Sequence, residues 1–161
     1  MPAASELVIE RVSHSIQLSA NLTDAQQNDI ASLLELLPTE SHNSDDVATA
    51  QSELNIKGFV DGRGLACPMP LLKTKVALRD VTAGESLYVV ATDPNSQADI
   101  TAFCRQSQQS QSADYLKLVV NKVTDHSSVD GTSLQRFATI YHFIITKTDS
   151  NYALLSFTIK S

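Results

Sequence analysis

Asp61-Gly62-Arg63-Gly64-Leu65-Ala66-Cys67-Pro68-Met69-Pro70 is the stretch of this chain on which the fold and the chemistry turn. It sets a cysteine where a strand hands over to a helix. A helix start carries a partial positive charge and unpaired N–H groups, and both favour thiolate over thiol. Pro68 suits the first helical position, where a missing N–H costs nothing, which makes Cys67 the expected N-cap. Gly62 and Gly64 allow a tight turn ahead of it. Pro68 and Pro70 also remove two amide donors near the sulfur, so the dipole, with Arg63, is expected to favour the thiolate without a tight hydrogen-bond cage. Such a sulfur stays nucleophilic, because nucleophilicity falls when a thiol pKa is driven very low.

Outward from that turn the pattern reads β-α-β-α. A strand from about Asn55 to Val60 leads into a helix from Pro68 to about Arg79, with Met69, Leu72 and Val76 as its main apolar line, flanked by Leu65 and Leu78. Thr82-Ala83-Gly84-Glu85 turns into a strand over Ser86 to Thr92, with Leu87, Val89 and Ala91 on one face. Asp93-Pro94-Asn95 stops that strand, and Ser96 with Asp99 three residues on opens a second helix whose buried stripe holds Ile100, Phe103 and Cys104. Tyr115 to Val123 is the next strand, placing Leu116, Leu118 and Val120 on one side. Ala138 to Lys147 alternates Tyr141, Phe143 and Ile145 against Ile140, His142 and Ile144. After Thr148-Asp149-Ser150-Asn151, a further strand is expected over Tyr152 to Ile159. Gln106 to Ser112 and Thr124 to Gln135 read as insertions. The fold expected is a two-layer α/β sandwich, a mixed four- to five-stranded sheet covered by two helices, with an N-terminal extension.

Residues 1–53 form that extension and 54–161 the main domain. Leu7 to Val12 reads as a short strand. Thr23 to Leu37 reads as a helix, with Thr23 and Gln26 in capping-box positions, Ile30, Leu33, Leu34 and Leu37 on one face, and Pro38 as its stop. Thr39 to Glu53 is polar and linker-like.

The central residues resemble the TusA/SirA-like sulfur-carrier family, small proteins built around a Cys-Pro-x-Pro motif. The likeness runs through Asp61, Arg63, Gly64, Leu65, Cys67, Pro68 and Pro70. It continues in Ala83-Gly84-Glu85-Ser86-Leu87, Thr92-Asp93-Pro94-Asn95-Ser96, Asp99-Ile100 and Phe103-Cys104. The resemblance implies the same sandwich fold. It also implies that Cys67 accepts sulfur as a persulfide from a donor protein (a cysteine desulfurase or a rhodanese-like enzyme) and yields it to an acceptor protein. Asp61, Arg63, Gly64, Pro68 and Pro70 then shape or polarise the site. A regulatory or adaptor module using the same fold for protein contact is the alternative, and a redox-sensing thiol a weaker third.

Composition bounds these readings. The net charge is −6, with nine acidic residues and one basic residue in 1–54, against eight basic and six acidic in 55–123. That argues against direct nucleic-acid binding, and it suits docking of the mildly cationic part on an acidic protein surface. No apolar run spans a bilayer, the N-terminus lacks a secretory pattern, and two cysteines make no disulfide framework, so a reducing cytoplasm is expected. His14, His42, His126 and His142 show no metal-ligand spacing with either cysteine, so neither metal nor cofactor is expected. Cys104 reads as a buried structural thiol, and Lys73 and Lys75 as a solvated helix face.

Overall fold

A computed structural model describes residues 8–11, 14–37, 52–109, 115–125 and 139–148 of the 161. In chain order the elements are β1 (Val8–Arg11), β2 (His14–Leu18), α1 (Asp24–Leu34), β3 (Ser52–Gly62), α2 (Met69–Ala77), β4 (Ser86–Ala91), α3 (Asn95–Gln109), β5 (Tyr115–Asp125) and β6 (Thr139–Thr148). A 3-10 turn over Leu78–Asp80 extends α2. Of the linker expected over Thr39 to Glu53, Ser52 and Glu53 instead begin β3 and the remainder lies outside the described residues, as does the further strand expected over 152–159.

One mixed sheet runs in the order β1-β2-β3-β4-β6-β5. β3 and β4 are parallel neighbours, as a strand-helix-strand crossover requires. β6 pairs antiparallel with both β4 and β5. The α/β sandwich is therefore as expected, and the N-terminal part enlarges it. β2 lies parallel to β3, and β1 pairs antiparallel with β2 at the edge.

The two faces of the sheet carry separate cores. Val60, Leu87, Val89, Ala91, Phe143 and Ile145 face α2 and α3, meeting Leu78, Ile100 and Cys104. Ile16, Leu18, Leu54, Ile56, Tyr88, Val90 and Ile144 form the other face, and there Ile30, Leu33, Leu34 and Leu37 cover them. So α1 is a third layer, and every residue of β4 is buried. Thr23 caps α1 as its sequence indicates: its hydroxyl accepts from Gln26 N at 3.1 Å, and the Gln26 side chain accepts from Thr23 N at 3.0 Å.

Several expectations about faces change. The pairing of β5 shifts between Leu118 and Val120, so Leu116 and Leu118 join the core under α2 and α3 while Val120 joins the α1 side. α3 does not start at Ser96. It begins at Asn95, whose N–H donates to Asp93 Oδ1 at 2.9 Å, and Ser96 is buried in the first turn. Of the stretch Gln106 to Ser112, Gln106 to Gln109 belong to α3, and 110–112 lie outside the described residues. The Ser107 hydroxyl and the Gln108 amide bond to Leu116, which ties the helix end to β5.

His142 is fully buried on the α1 side. Its Nδ1 meets the Tyr88 hydroxyl at 2.6 Å and its Nε2 meets the Thr124 hydroxyl at 2.8 Å. Both ring nitrogens are satisfied as a neutral imidazole, and burial, helped by the Arg63 charge, pulls its pKa from 6.5 to about 4. The unfolded chain takes up a proton below about pH 6.5 that the fold refuses until about pH 4. Stability held above that window is thus lost as pH falls through it, by up to about 3 kcal/mol from this one group. Urea unfolding near pH 7 and near pH 5 is expected to show that loss in the natural chain and a smaller one in a His142→Gln variant.

Candidate functional site

The site forms where β3 ends and α2 and α3 begin. Gly62 ends β3 where any Cβ would stand 2.9 Å from Val90 O and 3.3 Å from Pro70 Cβ, so the strand end and the α2 start can touch only at glycine. Gly64 follows with φ of 80°, the left-handed region open to glycine, and its N–H donates to the Thr92 hydroxyl at 2.9 Å. The turn is therefore fastened to the end of β4.

Asp61 and Arg63 fasten the same turn to itself. Asp61 Oδ1 accepts from Arg63 N at 3.1 Å and Nε at 2.9 Å, and Oδ2 accepts from Nη2 at 2.9 Å. Those bonds hold the Asp61 carboxyl below the usual carboxylate range. Arg63 also senses the carboxylate of Asp29 on α1. The Arg63 side chain is thus paired with Asp61, and the charges that shift the Cys67 thiol are those of Asp99 and Asp93.

Cys67 stands one residue ahead of its expected place. Pro68 is the N-cap of α2 and caps without a side-chain bond, so Cys67 precedes the helix. The cysteine is half-buried and free. Its backbone N–H donates to Asp93 Oδ2 at 2.8 Å, and its thiol donates to Asp99 Oδ2. Asp93 thus joins the two helix starts, with one oxygen on Cys67 and the other on Asn95. These bonds hold the Asp93 carboxyl below its ordinary range.

The electrostatic expectation is reversed. The hydrogen bond to Asp99 comes first, then desolvation and the charges of Asp99 and Asp93, and together they push the Cys67 thiol up from 9.0 to about 11. The helix start cannot offset them, because Pro68 and Pro70 offer no N–H there and the nearest carboxylate bonds the sulfur directly. At rest Cys67 is a thiol. Cys104 is buried on α3, and burial alone pushes it to about 11.

Residues 59–122 match the family Sulfurtransferase TusA. The chain is 37% identical over 68 residues to putative sulfur carrier protein YrkI of Bacillus subtilis, covering 39% of this chain and 91% of that relative. It is 37% identical over 70 residues to the sulfur carrier protein TusA of Pseudomonas fluorescens, covering 40% and 84%. The chain belongs to the TusA family. A further relative, putative sulfur carrier protein YrkF of Bacillus subtilis, is 36% identical over 80 residues, and the chain spans 43% of its length.

The TusA-matching segment contains the whole Cys67 site: Asp61, Arg63, Gly64, Pro68 and Pro70 shape one turn, and Thr92, Asp93 and Asp99 close it from β4 and α3. Asp99 and Asp93 are the residues whose roles sequence reasoning missed. Both lie in stretches that carry the family likeness, yet no local rule joins Asp99 to a cysteine 32 positions away. Met69, Leu72 and Val76 hold the second correction. They are 44%, 46% and 59% exposed, while Pro70, Thr74 and Leu78 turn α2 to the sheet. Thr74 tolerates burial because its hydroxyl donates to Pro70 O at 2.7 Å. An apolar stripe thus runs along the solvent side of α2 beside Cys67, rimmed by the exposed Lys73. Lys75 lies 5.1 Å over the Phe103 ring of α3, a cation–π contact.

Among the described residues, no three His, Cys, Asp or Glu side chains stand together as a metal site. No helix among them is long and apolar enough to cross a membrane.

Proposed function

We propose that this chain carries sulfur as a persulfide on Cys67, taking it from a donor protein, a cysteine desulfurase or a rhodanese-like enzyme, and passing it to an acceptor protein. Of the two cysteines, Cys67 alone is within reach of solvent, and it sits beside an exposed apolar helix face; that placement carries the reading. Family membership and relatives named as sulfur carriers support it.

The step is a redox-neutral exchange. The Cys67 sulfur loses its proton and attacks the terminal sulfur of a donor persulfide. A new S–S bond forms on Cys67, the donor's S–S bond breaks, and the donor cysteine leaves as a thiolate that takes up a proton. An acceptor thiolate then attacks the outer sulfur of the Cys67 persulfide: a new S–S bond forms on the acceptor, the bond to Cys67 breaks, and Cys67 leaves as a thiolate that takes up a proton. Donor and acceptor dock on the Met69-Leu72-Val76 stripe, which is apolar, lies on the helix that starts two residues after Cys67 and is rimmed by Lys73.

Incubation with a cysteine desulfurase and cysteine tests the reading: the intact protein gains the mass of one sulfur atom, and a chain left unmodified sinks it. Docking is tested separately. Leu72→Asp is expected to slow loading from the desulfurase by roughly tenfold or more, as expected for losing an interface anchor worth 1–2 kcal/mol, and to leave loading from a small-molecule persulfide unchanged. Equal slowing with both donors would place the defect in the site and not in docking.

A further inference from the structure

A nucleophilic cysteine is ordinarily served by cations, yet this one faces carboxylates. Asp93 is engaged by two backbone N–H groups, of Cys67 and Asn95. Asp99, in the first half of α3, takes the thiol proton's hydrogen bond. Among the described residues neither carboxylate has an ion-pair partner; the ion pairs are Lys57–Glu85 and Arg63–Asp61. The other charged groups around the turn are Asp61, neutralised by Arg63, and Lys73 on α2, whose charge acts on Asp61.

We infer that Asp99 is a latch that holds Cys67 as a neutral thiol until the donor protein presses a lysine or arginine side chain against it. The inference rests on the sulfur-carrier reading and adds a requirement on the donor: a cationic side chain next to its persulfide, beside an apolar patch that covers Met69, Leu72 and Val76. An arriving cation takes the Asp99 carboxylate into a charge-assisted pair, removes the acceptor that favours the protonated thiol, and offsets the charge that opposes the thiolate. Asp99 thereby acts as a specificity-determining residue. It keeps the free carrier slow toward stray electrophiles and oxidants, and it makes ionisation depend on docking.

The size of the brake follows from two opposing effects. A thiol raised from 9.0 to about 11 has roughly 100-fold less thiolate at neutral pH. Its thiolate is also intrinsically more nucleophilic, by roughly tenfold for a Brønsted slope of about 0.4–0.5. The net brake is about tenfold.

Iodoacetamide alkylation of the full-length chain, followed on the Cys67 peptide by mass spectrometry across pH, reads this directly. Asp99→Asn is expected to react faster than the natural chain near pH 7, by up to about tenfold because desolvation and the Asp93 charge remain, with the gap narrowing as pH rises, and Asp99→Glu to restore the slow profile. Asp99→Asn reacting at the same rate or more slowly across the range overturns the latch, since a merely structural aspartate has no reason to shift this pH profile. Asp99→Glu supplies the check against misfolding, because it keeps the charge while altering the packing. A parallel incubation with a small-molecule persulfide separates the two claims. Asp99→Asn is expected to gain sulfur faster than the natural chain. If neither protein gains sulfur while the alkylation profiles differ as stated, the carrier reading fails and the control of the thiol by Asp99 stands.

Discussion

Replacing Cys67 by serine is expected to abolish sulfur uptake from a desulfurase, with Cys104→Ser retaining it. The asymmetry has a physical basis. A serine hydroxyl fits the same space and can donate the same hydrogen bond to Asp99, so the fold and the docking stripe stay intact while the nucleophile is removed. Cys104 cannot substitute. It is 2% exposed on the α3 face packed against Phe143 and Ile145's side of the sheet, and burial pushes its thiol to about 11. Mass spectrometry of the two variants after desulfurase treatment checks the pair. A regulatory or adaptor role without sulfur chemistry predicts the reverse, a Cys67→Ser protein indistinguishable from the natural chain in cells. Sulfur retained on the Cys67→Ser protein at the natural level would rule out Cys67 as carrier.

Truncating the chain to begin at Ser52 is expected to cost it a cooperative fold, the largest stability effect anticipated here. The removed segment supplies β1, β2 and α1, and with them the apolar side chains of Ile16, Leu18, Ile30, Leu33 and Leu34 that cover one side of the sheet. Leu54, Ile56, Tyr88, Val90 and Ile144, now at most 5% exposed, would face water. Even one truncation in that layer, Leu34→Ala, is expected to cost about 2–5 kcal/mol, and removing the layer exceeds the total stability of most domains. Thermal unfolding followed by circular dichroism, with a dye for exposed apolar surface, checks this. A truncated chain with a sharp transition and no dye binding would show that the other layer suffices alone. The Cys67 site lies on loops facing α3, so the prediction concerns the platform and not the chemistry.

What could be read in the residues divides along the range of the interactions. The capping box of Thr23 and Gln26 is settled within four residues, and it appears as its pattern indicates. The parallel β3–β4 pair follows from a crossover helix of ordinary length. β2 was not legible: His-Ser-Ile-Gln-Leu alternates too briefly to stand out, and it is a strand because Ile16 and Leu18 find Leu54 and Ile56 far along the chain. Val120 alternates in step with Leu116 and Leu118 but faces the other side, because a one-residue shift in β5 inverts everything after it. On α2 the spacing of Met69, Leu72 and Val76 describes an apolar line but not which way it faces. Pro70 and a back-bonded Thr74 take the inner side instead. At the site, the cysteine and its turn were legible because proline and glycine act locally. The sign of the field was not, since Asp99 reaches the sulfur only through the placement of α3. A helix-start argument weighs the dipole alone, and one bonded carboxylate outweighs it.

The claim that everything else serves is that sulfur resides on Cys67. Peptide mapping of the natural chain after desulfurase loading, with free thiols and persulfides tagged differently before digestion, locates the sulfur atom. The account predicts the persulfide tag on the peptide holding Cys67 and the thiol tag on the one holding Cys104. Persulfide on Cys104, or on neither peptide in a chain whose donor is active, would contradict it.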